Sequence, residues 1–225
     1  MRIHKRERAN RVFTIKRFLA LIVVLLLAAM GISLQLKAVI GVAPFDALNQ
    51  TISYAFEIRV GDVVTLLQLL FVFLQILFLK GDTNWRIFLQ IFVGALLGQF
   101  VNFFFYTVFN HLVVTNYILR LCLLMAGCLW VPIFIGAVMI LDLVTMPIES
   151  FSLVVSKEMI FSFGQVRQFI DIICVIIALA LTVIYSVPFT IREGTIISAL
   201  TFGPLLSFYM PKIEILFKKW KLVNE

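Results

Sequence analysis

The chain has 225 residues, 62% of them hydrophobic and only 14% charged, with a mean hydropathy of +1.08. Soluble domains run near 45–50% apolar and about 25% charged, so this composition excludes an ordinary water-soluble fold and points to an integral membrane protein. The net charge of +7 is no nucleic-acid footprint, because seven of the nineteen Lys and Arg residues precede position 18 and four more follow position 211; basic flanks of this kind serve as topology signals and anchors to anionic headgroups.

The first element follows a basic tail, "MRIHKRERANRVFTIKR" (1–17). The apolar run from Phe18 to Ile40 exceeds the roughly 7–15 residues of a signal-peptide core and is expected to be an uncleaved first span. Next comes "KAVIGVAPFDALNQ" (37–50), which places Pro44 and Asp46 just after that span. Proline at a first helical position sacrifices no needed N–H, and a carboxylate in the first turn is favoured by the helix dipole. The piece from 44 to 58 is too short to cross a hydrocarbon core of about 30 Å. It is expected to be a short Pro-led helix, re-entrant or interfacial. Spans follow over about 63–80, 87–109 and 117–141, joined by "KGDTNWR" (80–86) and "NHLVVTN" (110–116). "DLVTMPIESFS" (142–152) then repeats the earlier pattern with Pro147 and Glu149, predicting a second short helix to about 161. The last spans are expected over 166–187 and 194–210, with a basic tail at 212–225.

A shift of 103 to 105 residues superposes the landmarks. Gly31 falls on Gly136, Lys37 on Asp142, Pro44 on Pro147, Asp46 on Glu149, Ser53 on Ser156, Gly61 on Gly164 and Gly98 on Gly203. The fold class expected is therefore an all-α transmembrane bundle of six spans, made of two three-span repeats at 18–110 and 111–211. Three is odd, so the second repeat lies upside down relative to the first. Inverted repeats of this type recur in secondary transporters, where two halves rock about a midplane site. The termini and the loops at 80–86 and 142–165 share the basic side, and the positive-inside rule assigns that side to the cytoplasm.

Candidate binding residues come from the repeat and from charges near the spans. Asp46 and Glu149 stand at equivalent helix starts beside Pro44 and Pro147, where a dipole-stabilised acid serves structure or a ligand equally well. Lys37 and Asp142 either snorkel to the headgroups or contribute to a site. Arg192 and Glu193, in "REGT" (192–195), either cap the last helix or border the outer mouth of a cavity. Gly94 with Gly98, and Ala199 with Gly203, have the small-x-x-x-small spacing that lets helices approach closely. They predict tight packing of the third and sixth spans, or a homodimer. Cys122, Cys128 and Cys174 fit no zinc spacing, and His4 and His111 offer nothing to a triad. No metal, cofactor, catalytic residue or nucleic-acid partner is expected, and no enzyme activity; the expected partners are the lipid bilayer and a small molecule.

"KAVIGVAPFDAL" (37–48) and "REGTIISALTFGPLLSFYMP" (192–211), with Gly194, Thr195, Ala199, Leu200, Gly203 and Pro204, resemble the YczE/YyaS/YitT family of bacterial integral membrane proteins. The likeness is closest to the YczE-like branch, which lacks a soluble C-terminal domain, and covers residues 18–211. It implies a multi-pass protein of the bacterial cytoplasmic membrane and brings no catalytic or binding residues. Two functions follow as expectations: a small-molecule transporter or exporter, and a non-transporting membrane scaffold or accessory factor.

Overall fold

The computed structural model describes residues 2–79, 85–220 and 222–223, with residues 2–13 described in backbone only. Most of the loop predicted at 80–86 lies outside the described residues. The described residues form eight α-helices and no strand: α1 (Arg2–Ala38), α2 (Pro44–Phe56), α3 (Val60–Phe78), α4 (Arg86–Asn102), α5 (Tyr117–Leu141), α6 (Pro147–Glu158), α7 (Phe163–Tyr185) and α8 (Glu193–Lys219). A π-helical turn, Phe103–Val108, extends α4. Six of these helices, all except α2 and α6, are long and apolar enough to cross a membrane.

Two helices run well beyond the sequence reading, the other boundaries shifting by three residues or fewer. The first helix includes nearly all of the basic tail, because nothing in residues 2–17 breaks a helix. The last runs through Pro204 and Pro211 to Lys219 instead of ending near 210. Proline deletes one intrahelical hydrogen bond and crowds the preceding turn, yet the flanking residues keep the helix going.

The centre of the bundle is the α1–α5 pair. Gly31 lets α5 come close, since a Cβ there would meet the Trp130 ring and Val131, and the Trp130 indole donates to the Leu27 carbonyl at 2.8 Å. Leu25, Ala28, Ala29, Val131, Ile135 and Val138 are buried in the resulting core. Helix α4 packs on α1, α8 packs on α5, and each short helix leans on both α3 and α7.

Both short helices begin as the sequence requires. Pro44 and Pro147 occupy first-turn positions, with Asp46 and Glu149 as the first-turn acids. The links that lead into them start from left-handed residues, Val39 (φ 56°) after α1 and Asp142 (φ 48°) after α5. Left-handed backbone is costly for β-branched valine. Arg192 offsets that cost by donating to the Val39 carbonyl at 2.8 Å. Nearby, Gly41 (φ 102°) lies so close to α8 that a Cβ would sit 2.7 Å from the Thr195 nitrogen.

Candidate functional site

The amino ends of α2 and α6 meet at a cavity of about 60 Å³. Pro44, Phe45 and Asp46 line it from α2, Ile148 and Glu149 from α6, Val64 and Gln68 from α3, and Arg167 and Asp171 from α7. Gln35 of α1, Leu97 of α4, Cys128 of α5 and Phe202 of α8 complete much of the wall. Short helices that stop inside a bundle point their dipole ends and free N–H groups at its centre.

Arg167 and Asp171 form an ion pair one helical turn apart on α7, with side chains only 15% and 21% exposed. Asp171 stands eight positions after the start of α7 at Phe163, so it is about 12 Å along the axis of a helix long and apolar enough to cross a hydrocarbon core of about 30 Å. Ionisable groups at such depth are expensive and are retained for pairing or for function. Burial pushes the Asp46 carboxyl up to about 7 while the Arg167 guanidinium pulls it back down. Glu149, only 4% exposed, is raised by burial in the same way and is likewise opposed by Arg167. The Oε2 of Glu149 and the Oε1 atoms of Gln35 and Gln68 make no hydrogen bond within the protein.

A second space adjoins the first. Helices α7 and α8 scarcely touch, and between them runs a groove of about 490 Å³ that shares Pro44, Arg167, Asp171, Ala199 and Phe202 with the cavity. Gly164 and Gly203 face this groove, and a Cβ on either would meet nothing within 4 Å. The α3–α4 contact is the opposite. A Cβ on Gly61 would run into the Gly98 carbonyl, and one on Gly98 into the Gly61 carbonyl and the Thr65 hydroxyl. Asn102 seals that seam by accepting from the Gly61 nitrogen at 2.8 Å and donating to Asp62 at 2.8 Å.

Of the residues singled out in the sequence, Pro44, Asp46 and Glu149 line the cavity. Pro147 lies beside it, with its ring 3.7 Å from where a Gly94 Cβ would be. Lys37 lies elsewhere, over the Phe105 ring at 4.3 Å. Asp142 is exposed and pairs with Arg86 at 3.5 Å. Arg192 serves the Val39 carbonyl, and Glu193 accepts from the Tyr117 hydroxyl at 3.3 Å. Gly94 and Gly98 pack against Gln68, Gly61 and Thr65 of α3 and not against α8, whereas Ala199 and Gly203 border the open groove.

Sequence reasoning passed over Arg167, Asp171, Gln35 and Gln68. The available signal was an opposite-charge pair at i and i+4 inside an apolar span, which places both groups on one helix face. Among the described residues no cluster of His, Cys, Asp and Glu is suited to a metal ion.

Over residues 15–211 the chain matches the family described as "Family of unknown function (DUF6198)". No curated protein and no solved structure matches it. The chain belongs to that family.

Proposed function

We propose that this member of the DUF6198 family is a multi-pass transporter of small molecules that works by alternating access to the central cavity. The observation that carries the reading is the contrast between two seams bordering one charged cavity: α3–α4 is shut at Gly61 and Gly98, and α7–α8 is open at Gly164 and Gly203. A shift of 103 residues relates Gly61 to Gly164, Pro44 to Pro147 and Asp46 to Glu149, and 105 relates Gly98 to Gly203. In this reading the two halves are inverted repeats, and exchanging their conformations opens α3–α4 while α7–α8 closes. In this reading both termini lie in the cytoplasm, which the basic ends support, and the resemblance to YczE-like proteins supports the bacterial cytoplasmic membrane. The cavity then faces inward here, because Gly164 is near the start of α7 on the side of the termini.

Thiol labelling tests this. In a protein lacking Cys122, Cys128 and Cys174, single substitutions Leu97→Cys and Phe202→Cys put a thiol on cavity walls beside each seam. With exchange, each thiol reacts with an impermeant reagent from both sides of the membrane. Reaction from one side only, at both positions, defeats the proposal and favours a non-transporting scaffold.

A further inference from the structure

The α7–α8 groove and the cavity differ in chemistry. The groove walls include Ile172, Val175, Ile176, Leu200 and Pro204, all apolar, and its charged residues are Arg167 and Asp171, the two it shares with the cavity. From Gly164 to Ile176 the groove follows α7 for about 18 Å, so it lies largely at the depth of the lipid chains. Ile173, Ile177, Ile196 and Leu200 beside it are exposed, as residues facing acyl chains would be. The flank of the groove therefore opens sideways into the bilayer, while its Gly164 end lies toward the side of the termini.

The charge at the inner end is unbalanced. Apart from Cys128, the ionisable groups on the cavity wall are Asp46, Glu149, Asp171 and Arg167. Three carboxyls face one guanidinium and two helix amino ends, each end equivalent to about half a positive charge. Above the pH at which Asp46 and Glu149 protonate, with all three carboxyls ionised, the site holds about one negative charge in excess. The unpartnered atoms agree. Gln35, Gln68 and Glu149, exposed by 3%, 2% and 4%, each present an acceptor oxygen without a partner. Among the fully buried side-chain atoms of the described wall residues, Arg167 Nε is the one donor without a partner. A ligand that brings a single positive charge and an apolar body answers both features.

We propose that the groove and cavity together form a binding site for hydrophobic organic monocations, which arrive laterally from the bilayer and place the cationic centre beside Glu149. The assignment deepens the transport reading and rests on it for movement of the cation, but not for binding.

The test uses the full chain in nanodiscs of phosphatidylcholine and phosphatidylglycerol, with empty discs as the baseline for partition into lipid. The probes are tetraphenylphosphonium and the equally shaped anion tetraphenylborate. Saturable binding of the phosphonium alone is expected, roughly tenfold or more weaker in E149Q, where the buried charge partner is lost. G203F is expected to weaken binding similarly without disturbing the fold, because its side chain enters open space; a monodisperse protein with wild-type melting verifies this. Equal binding of the borate overturns the proposal, as does unchanged binding in a folded E149Q. Unchanged binding in G203F overturns the lateral route and leaves the groove to a lipid chain or a second copy. Flux of the probes and of hydrophilic solutes in liposomes separates the two readings. Phosphonium binding without flux of any solute defeats transport and keeps the site, whereas flux of a hydrophilic solute without phosphonium binding defeats the cation site and keeps transport.

Discussion

Among the described residues, Arg167 is the one cation on a cavity wall that also holds Asp46, Glu149 and Asp171. Replacing it with methionine leaves these acids uncompensated. R167M should destabilise the protein by about 2–3 kcal/mol, below the fully buried range because the pair is partly exposed. R167M/D171L should recover much of that loss, since the two sites share one interaction; melting in detergent for wild type, both singles and the double gives the coupling. A pH effect follows at Asp46. Its carboxyl is raised in the folded state, so stability is fully present below the ordinary carboxylate range and is lost as pH rises through about 7. The groups facing it are Arg167, Asp171 and Glu149, and Glu149 is raised too, which adds in the same direction. Melting temperature should therefore climb as pH falls from 8 toward 5, and D46N should flatten that climb. Lys37 and Asp142 stood out in the sequence because they border spans, yet they ended on Phe105 and Arg86. The Arg167–Asp171 pair escaped notice because two opposite charges one turn apart cancel in any sum over the span.

At the level of elements, the short helices were legible because their starts are written locally, in a proline at the first position and an acid in the first turn. The length of α8 was not legible, because prolines 204 and 211 are stop signals by local rules and the helix passes both. The glycines differ in the same way. Gly61 and Gly164 look alike in sequence, but only Gly61 is against another backbone. G61A should cost about 1–3 kcal/mol by overpacking the α3–α4 seam. G164A should be neutral or stabilise by up to about 1 kcal/mol, the usual gain of alanine over glycine in a helix. Side-by-side melting of the two variants checks this, and equal effects would mean that both seams are packed alike.

For the whole molecule, six spans and two short helices were readable from hydropathy and parity, since membrane crossing imposes length and backbone satisfaction on every span. The open α7–α8 groove was not readable. A glycine pair states that two helices are able to meet, not whether they do so in a given conformation. The central claim is that the Gly164–Gly203 seam closes in a second conformation, as Gly61–Gly98 is closed in this one. Cross-linking of G164C/G203C with a short bifunctional thiol reagent, in membranes and in a protein lacking Cys122, Cys128 and Cys174, tests it most directly. The account predicts efficient cross-linking, with Phe202→Cys on the cavity wall losing its reactivity from the side of the termini once the link forms. Two thiols that each label readily yet never join would mean the groove is permanent, and would contradict alternating access.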